Sequence, residues 1–309
     1  MEPSPRTLPT HARRAVVAAV AVVLGVGPGL GRWGIAAADD HAPALGYAGE
    51  APATGMGSGP IPGLPVASVP VPGLGLGDVG NVMVRVARPV MGPGPRRVGI
   101  QAGHWKMAEV PDELRRIAGQ TGTTAGGVTE WQVNLDVAER VASRLRGEGI
   151  AVDILPAAVP AGYLADAFVS LHADGDRSGH DRGFKVAHGS RRGPYEGRLA
   201  AAIGEEYGRA TGLPWLPGVS RNMTGYYAFA WGRFAASVAP HVPAAILEMG
   251  FLTSEADRVL LVGQPDRVAD GVTRGIRRFL EEVPAGAAFA EDLVMPVPPS
   301  WGRRVPPGA

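Results

Sequence analysis

The stretch AFVSLH, residues 167–172, decides the fold that this sequence predicts. A short apolar run that ends at a polar residue is typical of a strand buried on both faces of a sheet. The stretch VGIQAGH, residues 98–104, has the same layout, so that His104 ends one run and His172 ends the other. If the two strands are parallel neighbours, both imidazoles lie at the same edge of the sheet, where ligands collect in α/β folds.

Strand-like and helix-like segments alternate on both sides of these two runs. Apolar residues recur at steps of three and four from Thr129 to Gly147, across residues 194–211 and across residues 268–279, which predicts three helices. The predicted strands are residues 98–102, 151–155, 168–171, 184–187 and 244–247. Because strands alternate with helices, the sequence predicts a single α/β domain over residues 96–283, with a mostly parallel sheet covered on both faces.

The two flanks have a different composition. Arg6, Arg13 and Arg14 precede an uncharged run and then GIAAADD, the layout of a secretory signal cleaved near Ala38. An uncleaved anchor is the alternative, although the run of about 16 residues is shorter than the roughly 20 of a membrane span.

Glycine and proline dominate residues 39–95, which predicts an extended, largely disordered spacer. Residues 284–309 repeat this composition and are predicted to be a Pro-rich tail. The pattern GNVMVRVARPVM, residues 80–91, allows an edge strand within the spacer.

Composition narrows the possible partners and ligands. The formal net charge is +1 and the arginine pairs are scattered, so nothing favours binding to nucleic acid. The chain has no cysteine, which excludes disulfides and thiolate ligands. Any bound metal must therefore be held by histidine and carboxylate side chains. Nothing in the sequence indicates an oligomeric state.

Two glutamates complete a candidate site with the two histidines. Glu130 lies in the first turn of the helix that Thr129 precedes, a position that the helix dipole favours for any carboxylate. Glu248 lies between AAIL and MGF, where a charge is costly unless it is paired, metal-bound or protonated. Two imidazoles and one carboxylate can hold zinc and leave a position open for water, and a second carboxylate can then transfer protons.

Five motifs in order carry a family resemblance: GIQAGH, TEWQVNLDVAERVASRL, ADAFVSLHAD, RGFKVAH and PAAILEMGFLTSEADRVLL. Through them, residues 97–279 resemble the catalytic domain of zinc-dependent N-acetylmuramoyl-L-alanine amidases of the amidase 3 type. The resemblance implies that His104, Glu130 and His172 bind Zn²⁺ and that Glu248 is the catalytic residue. It also implies a mixed, twisted sheet flanked by helices, with zinc at the carboxyl ends of the strands. The implied reaction is hydrolysis of the amide between N-acetylmuramic acid and L-alanine in peptidoglycan, which fits an extracytoplasmic location.

The sequence departs from the family's usual Asp-x-Gly-His-Gly-Gly motif, because Gln101 replaces the aspartate and Trp105 and Lys106 replace the two glycines. The stretch from His104 to Glu130 is also longer than usual, and we expect it to shape a wall of the site. Aromatic and polar residues predicted to contact substrate are Trp105, Asn222, Tyr226 and Tyr227. Two other functions remain open, an inactive module that binds cell-wall material and a zinc hydrolase for a different amide.

Overall fold

The computed structural model describes residues 83–190 and 193–296, so the predicted signal segment, residues 1–38, lies outside the described part of the chain. The strands in chain order are β1 (Met83–Val86), β2 (Arg97–Ala102), β3 (Thr124–Ala125), β4 (Val128–Thr129), β5 (Ala151–Leu155), β6 (Ala167–Asp174), β7 (Lys185–His188), β8 (Ala244–Phe251) and β9 (Leu293–Pro296). The helices are α1 (Glu130–Gly147), α2 (Glu196–Thr211), α3 (Arg221–Thr224), α4 (Glu255–Gly263) and α5 (Pro265–Glu282).

The central sheet has the strand order β5-β2-β6-β8-β7. The pairs β2–β5, β2–β6 and β6–β8 are parallel, and β7 pairs antiparallel with β8 at the edge. The predicted mixed, mostly parallel sheet is therefore confirmed. Its two central strands, β6 and β8, are buried along their whole length, which explains their almost continuous apolar sequences.

The three long helices α1, α2 and α5 cover one face of the sheet. Helix α1 begins after Thr129, whose backbone N–H donates to Gln132 Oε1 at 3.1 Å and so helps to cap the first turn. Helices α2 and α5 pack closely because α5 carries glycines where they touch. A Cβ on Gly275 would lie 2.6 Å from Ile203 Cα, so only glycine allows this approach.

The opposite face of the sheet is covered by short elements. Helix α3, the 3₁₀ turn Tyr227–Phe229 and the following loop pack on Phe168 and Ile246. Both faces are thus covered, one by long helices and the other by short elements. The side chains of His172 and Glu248 lie on the face covered by the short elements, because alternate residues of a strand point to the same face and Phe168 and Ile246 lie there.

The described parts of the predicted spacer and tail contact each other. Strand β1 pairs antiparallel with β9, and the Arg88 N–H donates to Asp292 Oδ1 at 2.9 Å. The strand that the pattern of residues 80–91 allows is therefore present, but its partner is β9 and not the central sheet. Among residues 83–190 and 193–296, no helix is both long enough and apolar enough to cross a membrane.

Candidate metal centre

The structure brings together three of the four residues singled out in the sequence as one cluster. His104 follows β2, His172 lies in the neighbouring strand β6, and Glu130 is the first residue of α1. One nitrogen or oxygen atom from each lies within 4.8 Å of the other two. This cluster is positioned by the parallel pairing of β2 with β6, as the two strand-ending histidines predicted.

A tight turn after β2 places the two imidazoles against each other. His104 has a left-handed backbone with φ of 61°, and the preceding Gly103 N–H donates to the Leu171 carbonyl at 2.9 Å. A Cβ on Gly103 would lie 2.4 Å from Cε1 of His172. Because Gly103 has no side chain, the ring centroids of His104 and His172 come within 5.1 Å of each other.

The carboxylate of Glu130 is fixed by several N–H donors. Its Oε2 accepts from the Thr123 backbone N–H at 2.9 Å, and its Oε1 accepts from the Ala173 N–H at 3.2 Å and from Asn134 Nδ2 at 3.3 Å. Asn134 also donates to the Gly103 carbonyl at 3.1 Å, so one side chain ties α1 to the turn that carries His104. Glu130 is only 2% exposed, and these donors replace water around its carboxylate and hold it in a single orientation.

Glu130 is ionised in this setting. Burial raises the pKa of the carboxyl, but the hydrogen bond with His172, the nearby imidazoles of His104 and His172 and the Thr123 N–H together bring the pKa down to about 2. Its Oε1 lies 3.0 Å from Nδ1 of His172 and 3.4 Å from Nε2 of His104. One negative oxygen therefore faces two imidazole nitrogens.

The orientation of His104 suits a metal ligand. Its Nδ1 lies 2.9 Å from the Gln120 carbonyl oxygen, which only accepts, so Nδ1 carries a hydrogen. Its Nε2 lies on the side of Glu130, 3.4 Å from Oε1. Burial lowers the pKa of His104, although the negative charge of Glu130 opposes the shift, and a neutral imidazole can bind a metal through Nε2. Nitrogen and oxygen ligands of this kind suit zinc.

Glu248 lies beside the cluster on strand β8. It is the Cα partner of His172 across the β6–β8 pair, and the register shifts just beyond this pair. The side chain is 4% exposed, and its Oε2 has no hydrogen-bond partner among the described residues. Burial, together with the negative charges of Asp174 and Glu130, raises the pKa of Glu248 well above its ordinary value, although Lys185 opposes the shift. One oxygen of the Glu248 carboxyl group is therefore not engaged in a hydrogen bond with the described residues.

A cleft of about 440 Å³ opens over these four residues. Three of the four residues that were predicted to contact substrate line it: Asn222, Tyr226 and Tyr227. Trp105 does not line the cleft. Its half-buried ring packs against the main core, and Lys106 Nζ lies 5.2 Å from the ring centroid. The left-handed turn through His104 and Lys106 explains this placement, and the predicted substrate contact of Trp105 stays a prediction.

The long stretch before Glu130 forms one wall of the cleft, as its sequence led us to expect. It folds into two 3₁₀ turns, Met107–Glu109 and Asp112–Ile117. The Glu113 carboxylate accepts from the backbone N–H groups of Ala235 at 3.0 Å and Ala236 at 2.7 Å, which fastens this wall to the loop after α3. The residues from this stretch that line the cleft are Met107, Ile117, Gly119, Gln120, Thr121, Gly122 and Thr123.

Sequence reasoning missed the residues that orient the ligands. Asn134 lies four residues after Glu130, on the buried side of α1, and a polar residue in that apolar stripe is a signal that could have indicated it. Gly122 and Thr123 gave no signal, because a Gly- and Thr-rich loop has no periodicity. Their role depends on a contact with Glu130 that only the folded chain creates.

Comparisons with known proteins give one family match. A family model described as N-acetylmuramoyl-L-alanine amidase matches residues 98–278. No curated protein matches the chain closely enough to count as a relative.

Several solved amidase structures are similar to this chain. The amidase AmiC2 of Nostoc punctiforme is 21% identical, covering 62% of this chain and 99% of its own, with a TM-score of 0.44. The amidase Ami1 from Mycobacterium smegmatis is 18% identical, covering 61% and 98%, also with a TM-score of 0.44. The catalytic domain of CwlV from Bacillus (Paenibacillus) polymyxa var. colistinus is 21% identical, covering 60% and 98%, with a TM-score of 0.41.

Proposed function

This chain belongs to the N-acetylmuramoyl-L-alanine amidase family, and from that membership we propose that it cleaves the amide between N-acetylmuramic acid and L-alanine in peptidoglycan in a zinc-dependent reaction. In this proposal His104, Glu130 and His172 hold the metal, and Glu248 transfers protons. The predicted signal segment fits this substrate, because peptidoglycan lies outside the cytoplasmic membrane. Secretion, or retention by an uncleaved anchor, is part of the proposal.

One observation carries the zinc assignment. His104, Glu130 and His172 each place one nitrogen or oxygen atom within 4.8 Å of the other two, around the buried carboxylate of Glu130. A cation bound among them would offset the negative charge of that carboxylate. Zinc held by two imidazoles and a carboxylate would supply a Lewis acid for the amide carbonyl and would lower the pKa of water toward neutrality.

Glu248 performs the proton transfers in this scheme. Glu248 lines the cleft, and its Oε2 has no hydrogen-bond partner among the described residues, so we assign to it the acceptance of a proton from the attacking water. The same oxygen then delivers this proton to the leaving alanine nitrogen. In the metal-free protein, burial and the neighbouring carboxylates raise the pKa of Glu248 and favour its protonated form. A cation bound beside it would lower this pKa, so that the carboxylate could act as the base.

The remaining cleft residues bind and orient the substrate. Tyr226 and Tyr227 line the cleft, and their aromatic rings can contact sugar or peptide carbons. Met107 and Ile117 form an apolar surface on the wall that the long insertion builds, and Asn222 offers hydrogen bonds at the edge. Trp105 contributes only if substrate extends beyond the cleft to its half-buried ring.

Digestion of purified peptidoglycan tests the proposal. We expect the protein to release stem peptides with free alanine amines, to stop when a chelator removes the metal and to recover when zinc is added. Mass spectrometry of the products identifies the bond that is cut. Products from another amide would contradict the substrate assignment, and full activity in the metal-free protein would contradict the role of zinc.

The Glu248→Gln variant separates an enzyme from a binding module. It keeps the shape of the side chain, so we expect it to bind zinc and peptidoglycan but to release no peptide. If the wild-type protein itself bound peptidoglycan and zinc without releasing products, the chain would be an inactive module. Unchanged turnover in Glu248→Gln would contradict the proton-transfer role.

A further inference from the structure

The second ring nitrogen of His172 faces a tyrosine. Nδ1 of His172 points toward Glu130, whereas Nε2 lies 3.1 Å from the Tyr226 hydroxyl oxygen. The two rings meet edge to face, with centroids 5.4 Å apart and an interplanar angle of 86°. The neutral imidazole has two tautomers, and the direction of the hydrogen bond with Tyr226 decides which one is present.

A buried glutamine determines that direction. Gln101 is fully buried, and its Nε2 lies 2.6 Å from the Ala157 carbonyl and 3.3 Å from the Pro156 carbonyl. Carbonyl oxygens only accept hydrogen bonds, so the NH₂ group of Gln101 must be on this side. Its Oε1 is therefore an acceptor, and it lies 2.7 Å from Ser170 Oγ and 3.0 Å from the Tyr226 hydroxyl.

The Tyr226 hydroxyl has a single hydrogen, and Gln101 Oε1 accepts it. Two further oxygens lie near the Tyr226 hydroxyl. The Tyr227 hydroxyl lies at 3.1 Å and gives its own hydrogen to the Ala157 carbonyl at 2.7 Å, and Ser170 Oγ lies at 3.4 Å as a donor. When Gln101 Oε1 or the Tyr227 oxygen accepts the hydrogen of Tyr226, that hydrogen points away from His172. The Tyr226 oxygen then faces Nε2 of His172 as an acceptor, which requires Nε2 to carry the hydrogen.

In the structure, Nδ1 of His172 lies at hydrogen-bonding distance from Glu130 Oε1, 3.0 Å, and a bound metal would take the place of the hydrogen there. We infer that Tyr226, oriented by Gln101, is a positioning residue that keeps the hydrogen of His172 on Nε2 when the metal is bound, and so leaves Nδ1 as the ligand atom. The inference rests on the proposed function, since it requires that the cluster binds a metal. It gives Tyr226 a role in addition to any contact with substrate. His104 is oriented in the matching way by the Gln120 carbonyl, so each imidazole is fixed through the nitrogen that does not bind.

Removing the Tyr226 hydroxyl leaves the tautomer of His172 undetermined. In Tyr226→Phe the ring remains and no group accepts the Nε2 hydrogen, so His172 populates the other tautomer and turns more freely. Outer contacts of this kind typically change metal affinity about 10- to 100-fold. The matched control is Tyr227→Phe, which removes the adjacent hydroxyl; this hydroxyl donates to the Ala157 carbonyl and lies 3.1 Å from the Tyr226 hydroxyl, whereas it is the Tyr226 oxygen that lies 3.1 Å from Nε2 of His172.

The test measures zinc binding by competition with a chromogenic chelator, together with the ¹⁵N chemical shifts of the His172 ring. We expect Tyr226→Phe to weaken zinc binding about 10- to 100-fold and Tyr227→Phe to change it less than about threefold. In the zinc-loaded wild type the ring should carry hydrogen on Nε2 and metal on Nδ1. Thermal unfolding of both variants checks that each is folded.

The possible outcomes separate the two proposals. If the wild type binds zinc but Tyr226→Phe binds it equally tightly, or if zinc is found on Nε2, the role of Tyr226 is wrong and the proposed function stands. If Tyr227→Phe weakens binding as much as Tyr226→Phe, the effect is not specific to the contact with His172, and the inference is also wrong. If the wild type binds no zinc, the metal requirement of the proposed function fails and the inference fails with it.

Discussion

Gly122 lies directly against the carboxylate of Glu130: a Cβ on Gly122 would fall 2.2 Å from Oε2. Gly122 also has a left-handed backbone, with φ of 79°, which glycine adopts without strain. The next residue, Thr123, donates its N–H to the same oxygen at 2.9 Å. The loop backbone thus closes over the predicted metal ligand and needs a residue without a side chain to do so.

Gly122→Ala should therefore weaken zinc binding. The added methyl group must displace Glu130, and we expect zinc affinity to fall about 10-fold or more, as for other losses of ligand orientation. The matched control is Gly127→Ala in the same loop, where φ is 78° and a Cβ would meet no described atom within 4 Å. Both variants bear the left-handed strain of roughly 1–2 kcal/mol, so the difference in zinc affinity isolates the contact with Glu130. Equal zinc affinity in the two variants would refute the role of Gly122.

Replacing Glu248 should separate activity from stability. Glu248→Gln removes a buried carboxyl whose Oε2 has no described hydrogen-bond partner, so we expect no loss of folding stability at neutral pH. Loss of a general base and acid should lower turnover about 10²- to 10⁴-fold. Chemical denaturation and peptidoglycan digestion measure the two effects. A large loss of stability with little loss of turnover would mean that Glu248 is structural.

The raised pKa of Glu248 gives a pH dependence in the metal-free protein. Above its ordinary pKa of 4.5 the unfolded chain releases the proton, while the folded protein retains it because burial and neighbouring carboxylates disfavour the charge. The unfolded state then binds fewer protons, so stability falls as pH rises. Relative to Glu248→Gln, the wild type should lose at most about 1.4 kcal/mol per pH unit across this window. Denaturant unfolding with chelator, between about pH 5 and 8, measures this difference, and a constant difference would contradict the prediction.

Lys106 lies in a left-handed conformation, with φ of 58°, two residues after His104 in the same turn. A residue with a Cβ is strained there, whereas glycine is not, although glycine loses more entropy on folding. We expect Lys106→Gly to be more stable than Lys106→Ala by about 1 kcal/mol, with zinc binding retained. The comparison with alanine removes the contribution of the exposed lysine side chain. The free energies of unfolding of Lys106→Gly and Lys106→Ala test this prediction, and equal values would show that the turn is not strained.

Much of the fold followed from patterns along the chain. The apolar runs predicted all five strands of the central sheet, and the periodic segments predicted α1, α2 and α5, because local apolar spacing reports which side of each element is buried. Helix α4 was not predicted, since it is short and its exposed Val259 and Val262 obscure the apolar side. The strand ends were less accurate: β6 and β8 continue to Asp174 and Phe251, so His172 and Glu248 lie within strands.

The residue types of the candidate site were also determined by the sequence. The sequence alone predicts a zinc hydrolase from two histidines after apolar runs, a glutamate at a helix start and a glutamate in an apolar strand. Only the tertiary structure decided how these groups are oriented. Tyr226 and Gln101 are 125 residues apart, and nothing in the local pattern of either segment indicates that one orients the other.

The difference lies in how far apart along the chain the interacting residues are. The buried side of an element can be predicted from a short stretch of sequence, because apolar residues repeat with the period of a helix or a strand. The tautomer of His172 depends instead on a single hydrogen bond with Tyr226, and the unbonded oxygen of Glu248 depends on which segments pack around it. The sequence therefore determined which residues meet at the edge of the sheet, and the folded chain decided which atom of each faces the metal.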